Sequence, residues 1–447
     1  MAEPIISVSG LRGVVGETLT PEVAIRYVIA FSNAAPSGPL VVARDGRASG
    51  VMLAEAVRAG LHAVGRTTID AGIAATPTVG VLVRYARAAG GIQISASHNP
   101  PQYNGLKLFS EQGRVIPAEA GRAVLQRYRE DSIRWVRHDR LGAGRPSDDA
   151  HAEHLRAVLA TVDVERIRQR RFTVILDSNH GAGSRLGERL LKALGCEVIT
   201  LGGQPDGCFE HPPEPIAENL VSLLPRIRDL GADALFCQDP DADRLAVIDA
   251  QGRYLGEEYT LAICVEHILQ ERQGAIVANC STSRMTQDIA ARHGVPFYRS
   301  AVGEANVVDC MLAHDAVFGG EGNGGPIDPR VGLVRDSFVG MAQLLAAMAK
   351  RGLPISRLAD ELPRYAIEKT KVEVAADKVA AGLDALARKS PDAKADWMDG
   401  LRLDWPDRWL LVRASNTEPI VRAIAEAPDP AGAKELCRRA AEILVRV

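Results

Sequence analysis

The chain has no bias of charge, no cysteine framework and no long apolar run, and each absence closes off a class of function. Its 53 Lys and Arg against 56 Asp and Glu leave a net charge of −3. The two signs are interspersed rather than blocked, so there is no electrostatic case for a nucleic-acid partner. The seven cysteines (Cys196, Cys208, Cys237, Cys264, Cys280, Cys310 and Cys437) are odd in number and contain no CxxC pair. This pattern reads as reduced, mostly buried thiols, not as a disulfide set or a zinc site. The longest apolar runs, such as 338–349, are about a dozen residues, too short to span a bilayer. The opening MAEPIISVSG has neither the basic region nor the apolar core of a signal peptide. The expectation is a cytoplasmic protein that uses neither membrane nor nucleic acid.

What is present is an ordinary globular composition, 46% hydrophobic and 24% charged over 447 residues. At roughly 100–200 residues per domain, that length predicts about three or four domains. Strand-like and helix-like segments alternate. LVVARD (40–45), TTIDAGI (67–73) and GIQISAS (91–97) read as strands, with helical spacing over 50–64. Residues 134–150 are rich in charge, Gly and Pro and read as a linker. The cycle restarts with RFTVILDSN, CEVITLG and ADALFCQD as strands, a helix over 184–195, and a helix over 218–231 with a proline inside. It starts a third time at Tyr254, through GAIVANCS, PFYRSAV and AVFGGEG. Strands separated by amphipathic helices imply an α/β fold with crossover units. Three such units suggest triplication. From about Pro363 the pattern changes to YAIEKTKVEV, DGLRLDW, WLLVRAS and IVRAIAEA with helices over 376–389 and 430–446. That is a smaller α+β domain with mostly antiparallel pairing.

Six stretches carry candidate chemistry. In QDPDADRLAVID, Asp239, Asp241 and Asp243 stand two apart at the end of a strand. Two carboxylates at ~4 Å repel by roughly 4 kcal/mol at an effective dielectric of ~20, and a divalent cation relieves this. All-oxygen donors favour Mg²⁺ before zinc. The calcium-loop pattern fails at Arg244 and Ala250, and DxDx[T/V] fails at Asp243; a solvated acidic turn is the plain alternative. RASNTEP with Arg422 supplies arginine forks, hydroxyls and loop N–H groups suited to phosphate, or else forms a hairpin turn. GGEGNGGPI places Glu321 and Asn323 among glycines, where a ligand can approach closely and sugar hydroxyls can be bonded. SVSGLRGVVG and ARDGRASG each put arginine in a Gly/Ser loop; of Arg12, Arg44 and Arg47, Arg12 is the better anion candidate. Finally, SASHNPPQYNGLK runs from a strand into Ser97 and His98, with Lys107 beyond. It lacks the GxSxG elbow of hydrolases. Next to a cation site and a phosphate loop, Ser97 reads as a serine that carries a phosphoryl group, with His98 and Lys107 as donors or proton carriers.

Taken together and in order, these motifs resemble the α-D-phosphohexomutase family, over nearly the whole chain. The resemblance implies three α/β domains with mixed sheets and a smaller C-terminal α+β domain around a central cleft: a phosphoserine domain (1–145), a metal-binding domain (146–252), a sugar-recognition domain (253–362) and a phosphate-binding domain (363–447). It implies Ser97 as the phosphorylated residue, Lys107 as general acid or base, and His98, Arg12 and Arg244 beside them. Ser97, Asp239, Asp241 and Asp243 would hold Mg²⁺. Glu321 and Asn323 would read the sugar, and Arg413, Ser415, Asn416, Thr417 and Arg422 the phosphate. HPPEPIAENL (211–220) and LDSNHGAGS (176–184) also match, with no clear direct role. The sequence departs from GE-x-S-G-H, with Asn323 for the serine and Gly325 for the histidine. The implied activity moves a phosphoryl group between O6 and O1 of a hexose phosphate, through a hexose 1,6-bisphosphate that also serves as activator. Phosphoglucosamine mutase is expected first and phosphomannomutase/phosphoglucomutase next. A metal-dependent sugar phosphatase and a silent sugar-phosphate binder are the remaining readings. The expected assembly is a monomer or homodimer.

Overall fold

The computed structural model describes residues 3–7, 9–414 and 420–446. Among these residues the strands form four sheets, and the first three repeat one topology. In each, numbering four strands in chain order, the spatial order is 2-1-3-4. The first three strands are parallel, and the fourth is antiparallel to the third. The first copy is Leu40–Arg44, Thr68–Ile73, Gly90–Ile94 and Tyr103–Ser110. The second is Thr173–Asp177, Glu197–Leu201, Ala234–Gln238 and Leu245–Asp249. The third is Ile276–Asn279, Phe297–Ser300, Phe318–Glu321 and Gly325–Ile327. The triplication is therefore structural, although no repeat is visible in the amino acids. Parallel neighbours need helical crossovers, which explains the strand–helix alternation.

The first sheet is extended at both edges. Ile5–Ser7 and Gly10–Val14 form a hairpin against Tyr103–Ser110, and Gly144–Pro146 pairs in parallel with Thr68–Ile73. Two expectations are corrected here. Arg12 stands in a strand and not in a Gly/Ser loop. The stretch 134–150 is more than a linker, because it contributes that edge strand and a short 3₁₀ turn at His138–Arg140. Its backbone groups find partners on the sheet despite its polar composition. A third correction concerns 218–231, where the helix is only Leu224–Asp229 and Pro225 sits in its first turn. Proline lacks the N–H that an interior helix position needs, so it starts a helix better than it continues one.

The second and third units share one hydrophobic core, which also takes in Ala75 and Val81 from the first. The helix Ser337–Arg351 runs through it, buried from Ser337 to Ala349. The C-terminal unit is separate: strands Ala366–Glu373, Ile420–Ala427, Trp409–Ala414, Leu401–Asp404 and Lys394–Asp396 form an antiparallel sheet with its own core. It meets the third unit through a small cluster of Cys280, Trp409 and Leu411, and through ion pairs such as Arg299–Asp404 at 2.9 Å. Five of the seven cysteines are buried and all seven are free thiols. No helix among the described residues is long and apolar enough to cross a membrane.

Candidate active site

Each of the first three sheets sends the connection between its third and fourth strands to the same place. These connections are residues 95–102, 239–244 and 322–324; they hold Ser97, the three aspartates and Asn323, and Glu321 ends the strand that leads into the third. Ligands in α/β sheets sit beyond the carboxyl ends of the parallel strands, which is where the three loops emerge. They line a cavity of about 750 Å³ together with one face of the C-terminal sheet.

Ser97 is buried and its backbone is left-handed, with φ 50°. For a residue with a side chain this costs about 1 kcal/mol or more and persists only where the surroundings impose it. Arg47 does so. Its Nη2 donates to the carbonyl oxygens of Ser97 and Asn99, both at 2.6 Å, and its Nη1 to those of Pro100 at 2.9 Å and Tyr103 at 3.2 Å. Its Nε donates to Asp45, which accepts the Ser95 hydroxyl at 2.6 Å, and Ser95 Oγ accepts the Ser97 N–H at 2.9 Å. Arg47 is thus spent on holding the serine loop and is not available to an anion. Arg44 stays outside the cavity, whereas Arg12 lines it, donating to Asn99 Oδ1 at 2.9 Å. Strand pairing sets Gly10 opposite Lys107 and Arg12 opposite Gly105, so Arg12 and Lys107 share one face of the sheet.

The Ser97 hydroxyl donates to Asp239 Oδ2 at 2.7 Å. Asp239, Asp241 and Asp243 are fully buried, each with a carboxylate oxygen within 4.8 Å of the others. The turn that gathers them needs Ala242 in a left-handed conformation, φ 55°. Asp239 Oδ1 accepts the N–H groups of Asp243 and Arg244, both at 3.1 Å. Lys107 Nζ lies 3.2 Å from Asp241 Oδ2 and 2.8 Å from Asp243 Oδ2. Asp241 Oδ1 and Asp243 Oδ1 find no hydrogen-bond partner among the described residues. Burial raises all three carboxyls. For Asp239 the neighbouring carboxylates add to it, and the group stands well above the usual range. For Asp241 and Asp243 the cations Lys107 and Arg335 overcome it and hold them low. Two buried, partnerless oxygens in an all-oxygen cluster, beside the serine hydroxyl, fit a hard divalent cation.

Burial also pulls Lys107 down, but Asp241 and Asp243 outweigh it, so the ammonium is held charged, above its ordinary value. The carboxylates therefore keep the proton on Lys107 Nζ in this arrangement. His98 behaves oppositely. Arg244, then burial and Arg12, hold it well below its ordinary value, and its Nδ1 is 3.2 Å from Ser97 Oγ. Glu214, from the proline-rich 211–220 segment, reaches into the cavity, with Oε1 at 3.2 Å from Arg244 Nη1 and 3.9 Å from His98 Nε2. That segment is anchored by His211 Nε2 against Asp177 at 2.9 Å and by Asn179, which donates to the His211 carbonyl at 3.0 Å. The two matching motifs of unclear role are therefore one substructure that delivers Glu214.

On the third loop Glu321 is saturated. Oε1 accepts Asn279 Nδ2 at 2.7 Å and the Gly303 N–H at 3.1 Å, and Oε2 accepts Asn323 Nδ2 at 3.2 Å and pairs with Arg335 Nη1 at 2.9 Å. Asn323 Oδ1 has no partner among the described residues. Arg335 was missed from the sequence. Its buried guanidinium also binds Asp243 Oδ2 at 2.7 Å and Glu304 Oε2 at 2.8 Å, joining the aspartate loop to the sugar loop. A Cβ at Gly325 would lie 2.5 Å from Arg335 Cδ, so Arg335 fills the space that a side chain at 325 would need. A charged pair, Arg335–Asp336, inside the apolar run VGLVRDSFVG was the available signal. Glu304 and Glu258 are two further cavity carboxylates that the sequence reading passed over.

The C-terminal sheet closes the cavity with a row of cations. Strand pairing aligns Lys371 with Arg422 and Arg422 with Arg413, and Lys369 is two residues from Lys371 on the same face. All four line the cavity; Arg413 Nε is also 3.1 Å from Asp399. Ser415, Asn416 and Thr417 lie outside the described residues.

A serine hydroxyl at a carboxylate cluster that fits a cation, facing a loop of hydrogen-bonding groups and a row of basic residues, suits phosphoryl transfer on a polyhydroxylated substrate. Comparison with known proteins gives that class a family. Profiles described as phosphoglucomutase/phosphomannomutase alpha/beta/alpha domains I, II and III match residues 5–134, 149–252 and 257–365, and the profile of its C-terminal domain matches 370–443. The chain is 38% identical over 435 residues to a phosphoglucomutase/phosphomannomutase of Thermococcus kodakarensis, covering 95% of each. It is 34% identical over 442 residues to a probable phosphoglucosamine mutase of the same organism, covering 98% of this chain and 97% of the relative. A crystal structure of a phosphoglucomutase/phosphomannomutase family protein from Burkholderia thailandensis superposes with a TM-score of 0.85 at 27% identity, covering 98% and 97%. The chain belongs to the phosphoglucomutase/phosphomannomutase family, whose members are isomerases that move a phosphoryl group within a sugar phosphate. Nothing in these matches supports a phosphatase.

Proposed function

We propose that the chain is a phosphohexomutase that exchanges phosphate between O6 and O1 of a hexose phosphate, with glucosamine phosphate as the preferred substrate. The observation that carries the reaction is the Ser97 hydroxyl, held 2.7 Å from a buried aspartate cluster in a strained backbone conformation. Ser97, Asp239, Asp241 and Asp243 would hold Mg²⁺, whose charge would offset that of the phosphoryl group when bound. Phospho-Ser97 gives its phosphoryl group to a free sugar hydroxyl: the P–Oγ bond breaks, a bond from phosphorus to the sugar oxygen forms, and the hydroxyl proton passes to a base of the cavity. The bisphosphate turns over and returns its other phosphate to Oγ by the reverse exchange. Lys107 Nζ, Arg12 and Arg244 neutralise charge around the transferring group. Lys107 and His98 are the proton carriers: the neutral imidazole takes the proton of the sugar hydroxyl, and the charged Lys107 ammonium gives one to the leaving Oγ. Arg413, Arg422 and the adjacent lysines hold the phosphate that is not reacting, aided by Ser415, Asn416 and Thr417, and the C-terminal unit keeps water from the phosphoserine.

The similarity to a probable phosphoglucosamine mutase supports the amino-sugar reading. The more identical phosphoglucomutase/phosphomannomutase relative supports glucose or mannose phosphate as the second reading. Coupled assays with the 1-phosphates of glucosamine, glucose and mannose, with Mg²⁺ and a trace of the matching bisphosphate, test both. The expected product is the 6-phosphate, formed fastest from glucosamine 1-phosphate. Stoichiometric release of inorganic phosphate instead would overturn the mutase reading.

A further inference from the structure

The carboxylates that line the cavity away from the aspartate cluster are not equally compensated. Glu214 has Arg244 at 3.2 Å, and Glu304 and Glu321 have Arg335 at 2.8 and 2.9 Å. Glu258 has no cation within 4 Å among the described residues; its one hydrogen bond is to Oε2 from the Ser283 N–H, at 3.0 Å. It projects from the first turn of the helix Glu257–Leu269 into the cavity. Its carboxylate packs directly on the sugar loop: a Cβ added to Gly322, between Glu321 and Asn323, would lie 2.1 Å from Oε1 and 2.2 Å from Oε2. Only glycine allows this approach. Glu321, the acid expected to read the sugar, has both oxygens taken by Asn279, Gly303, Asn323 and Arg335. The carboxyl beside the sugar loop that lacks a cation is therefore that of Glu258.

We propose that Glu258 is the recognition group for the 2-ammonium of a hexosamine phosphate. The proposal rests on the mutase reading and adds to it the group that selects an amino sugar. Asn323 Oδ1 and the loop N–H groups address neighbouring ring hydroxyls. The next ring carbon then falls beside Glu258, and a carboxylate without a cation discriminates for an ammonium and against a neutral hydroxyl or acetamide. The site also carries the mark of a missing cation: burial pushes the free carboxyl up to about 8, with the Ser283 N–H and Lys369 opposing and Glu426 and Glu257 adding. The sugar must present both ends to Ser97, so its amino group stands on the Glu258 side in one of the two orientations; because the overall equilibrium is fixed, the resulting selectivity in kcat/KM appears in both directions of the reaction.

The test is kcat/KM in both directions for glucosamine, glucose and N-acetylglucosamine phosphates, with wild type and Glu258→Gln, whose amide oxygen still accepts the Ser283 N–H. The expected wild-type order places glucosamine phosphate first and the acetylated sugar last. In Glu258→Gln the ratio of glucosamine to glucose phosphate falls by about 10- to 100-fold, equally in both directions, the worth of one charged hydrogen bond. Gly322→Ala, which drives a methyl into the same carboxylate, lowers that ratio as well. An unchanged ratio in Glu258→Gln, or a wild type that prefers glucose phosphate, overturns the proposal and leaves the mutase reading standing. Phosphate release with no sugar isomerised is the separate outcome that sinks the mutase reading itself.

Discussion

The aspartate loop and the sugar loop are the same connection in two copies of one fold, the first built on three carboxylates and the second entered from one, Glu321, yet they are built for different ligands. In the second copy, three fully buried aspartates keep two oxygens without partners, although Lys107 and Arg335 stand beside them. In the third copy, Glu321 has three hydrogen bonds and an ion pair, and its charge is cancelled by Arg335. Open lone pairs in a dry cluster invite a cation, whereas a saturated carboxylate shapes a wall and leaves recognition to its neighbours. The lesson is that the hydrogen-bond accounting, not the residue type, decides what an acidic loop does.

The comparison breaks most visibly if the aspartate loop holds no cation. Asp241→Asn should cost Mg²⁺ affinity more than the ~10–100-fold seen for the loss of an outer-shell partner, read by calorimetric titration without substrate. An unchanged titration would place the cation elsewhere. The next largest effect belongs to the residue that joins the two loops. Arg335→Ala strands Glu304 and Glu321 as buried charges without a cation and leaves Asp243 only Lys107, an expected destabilisation of about 3–5 kcal/mol, seen as a lowered thermal midpoint. A midpoint equal to wild type would mean the three carboxylates are compensated by something else. The smallest effect sharpens the contrast through pH. A carboxyl raised to about 8 in the folded chain contributes stability below its unfolded pKa of about 4.5 and loses it as pH rises through 8. Glu258→Gln mimics the protonated form, so its thermal midpoint should exceed wild type by about 2 °C or more at pH 8 and converge with it near pH 5. A difference independent of pH would contradict the account of Glu258 as a carboxylate without a cation.

Much of the fold was legible because strand–helix alternation reports parallel sheets directly, and the change near Pro363 marked the antiparallel C-terminal unit. Short edge strands were not legible. Gly144–Pro146 carries no apolar signal, and the Gly10–Val14 hairpin reads as a Gly-rich loop. At the site, Ser97, Lys107 and the aspartates could be read because their spacing is local. Glu214, Arg335 and Glu258 could not, nor could the loop-holding role of Arg47, because their partners lie far away in sequence: Arg335 meets Asp243, Glu304 and Glu321 only once two units have packed. Lys369 and Lys371 were hidden in an alternating strand and become a cavity-facing row only through pairing with Arg422 and Arg413.

The central claim is that Ser97 Oγ carries the phosphoryl group between turnovers. Incubation with glucose 1,6-bisphosphate bearing a labelled phosphate, then mass mapping of the protein, tests it most directly. The account predicts one labelled phosphoryl on the peptide containing Ser97, none in Ser97→Ala, and its transfer to added hexose monophosphate as bisphosphate. Full isomerase turnover in Ser97→Ala, or label that leaves wild type only as inorganic phosphate, would contradict it.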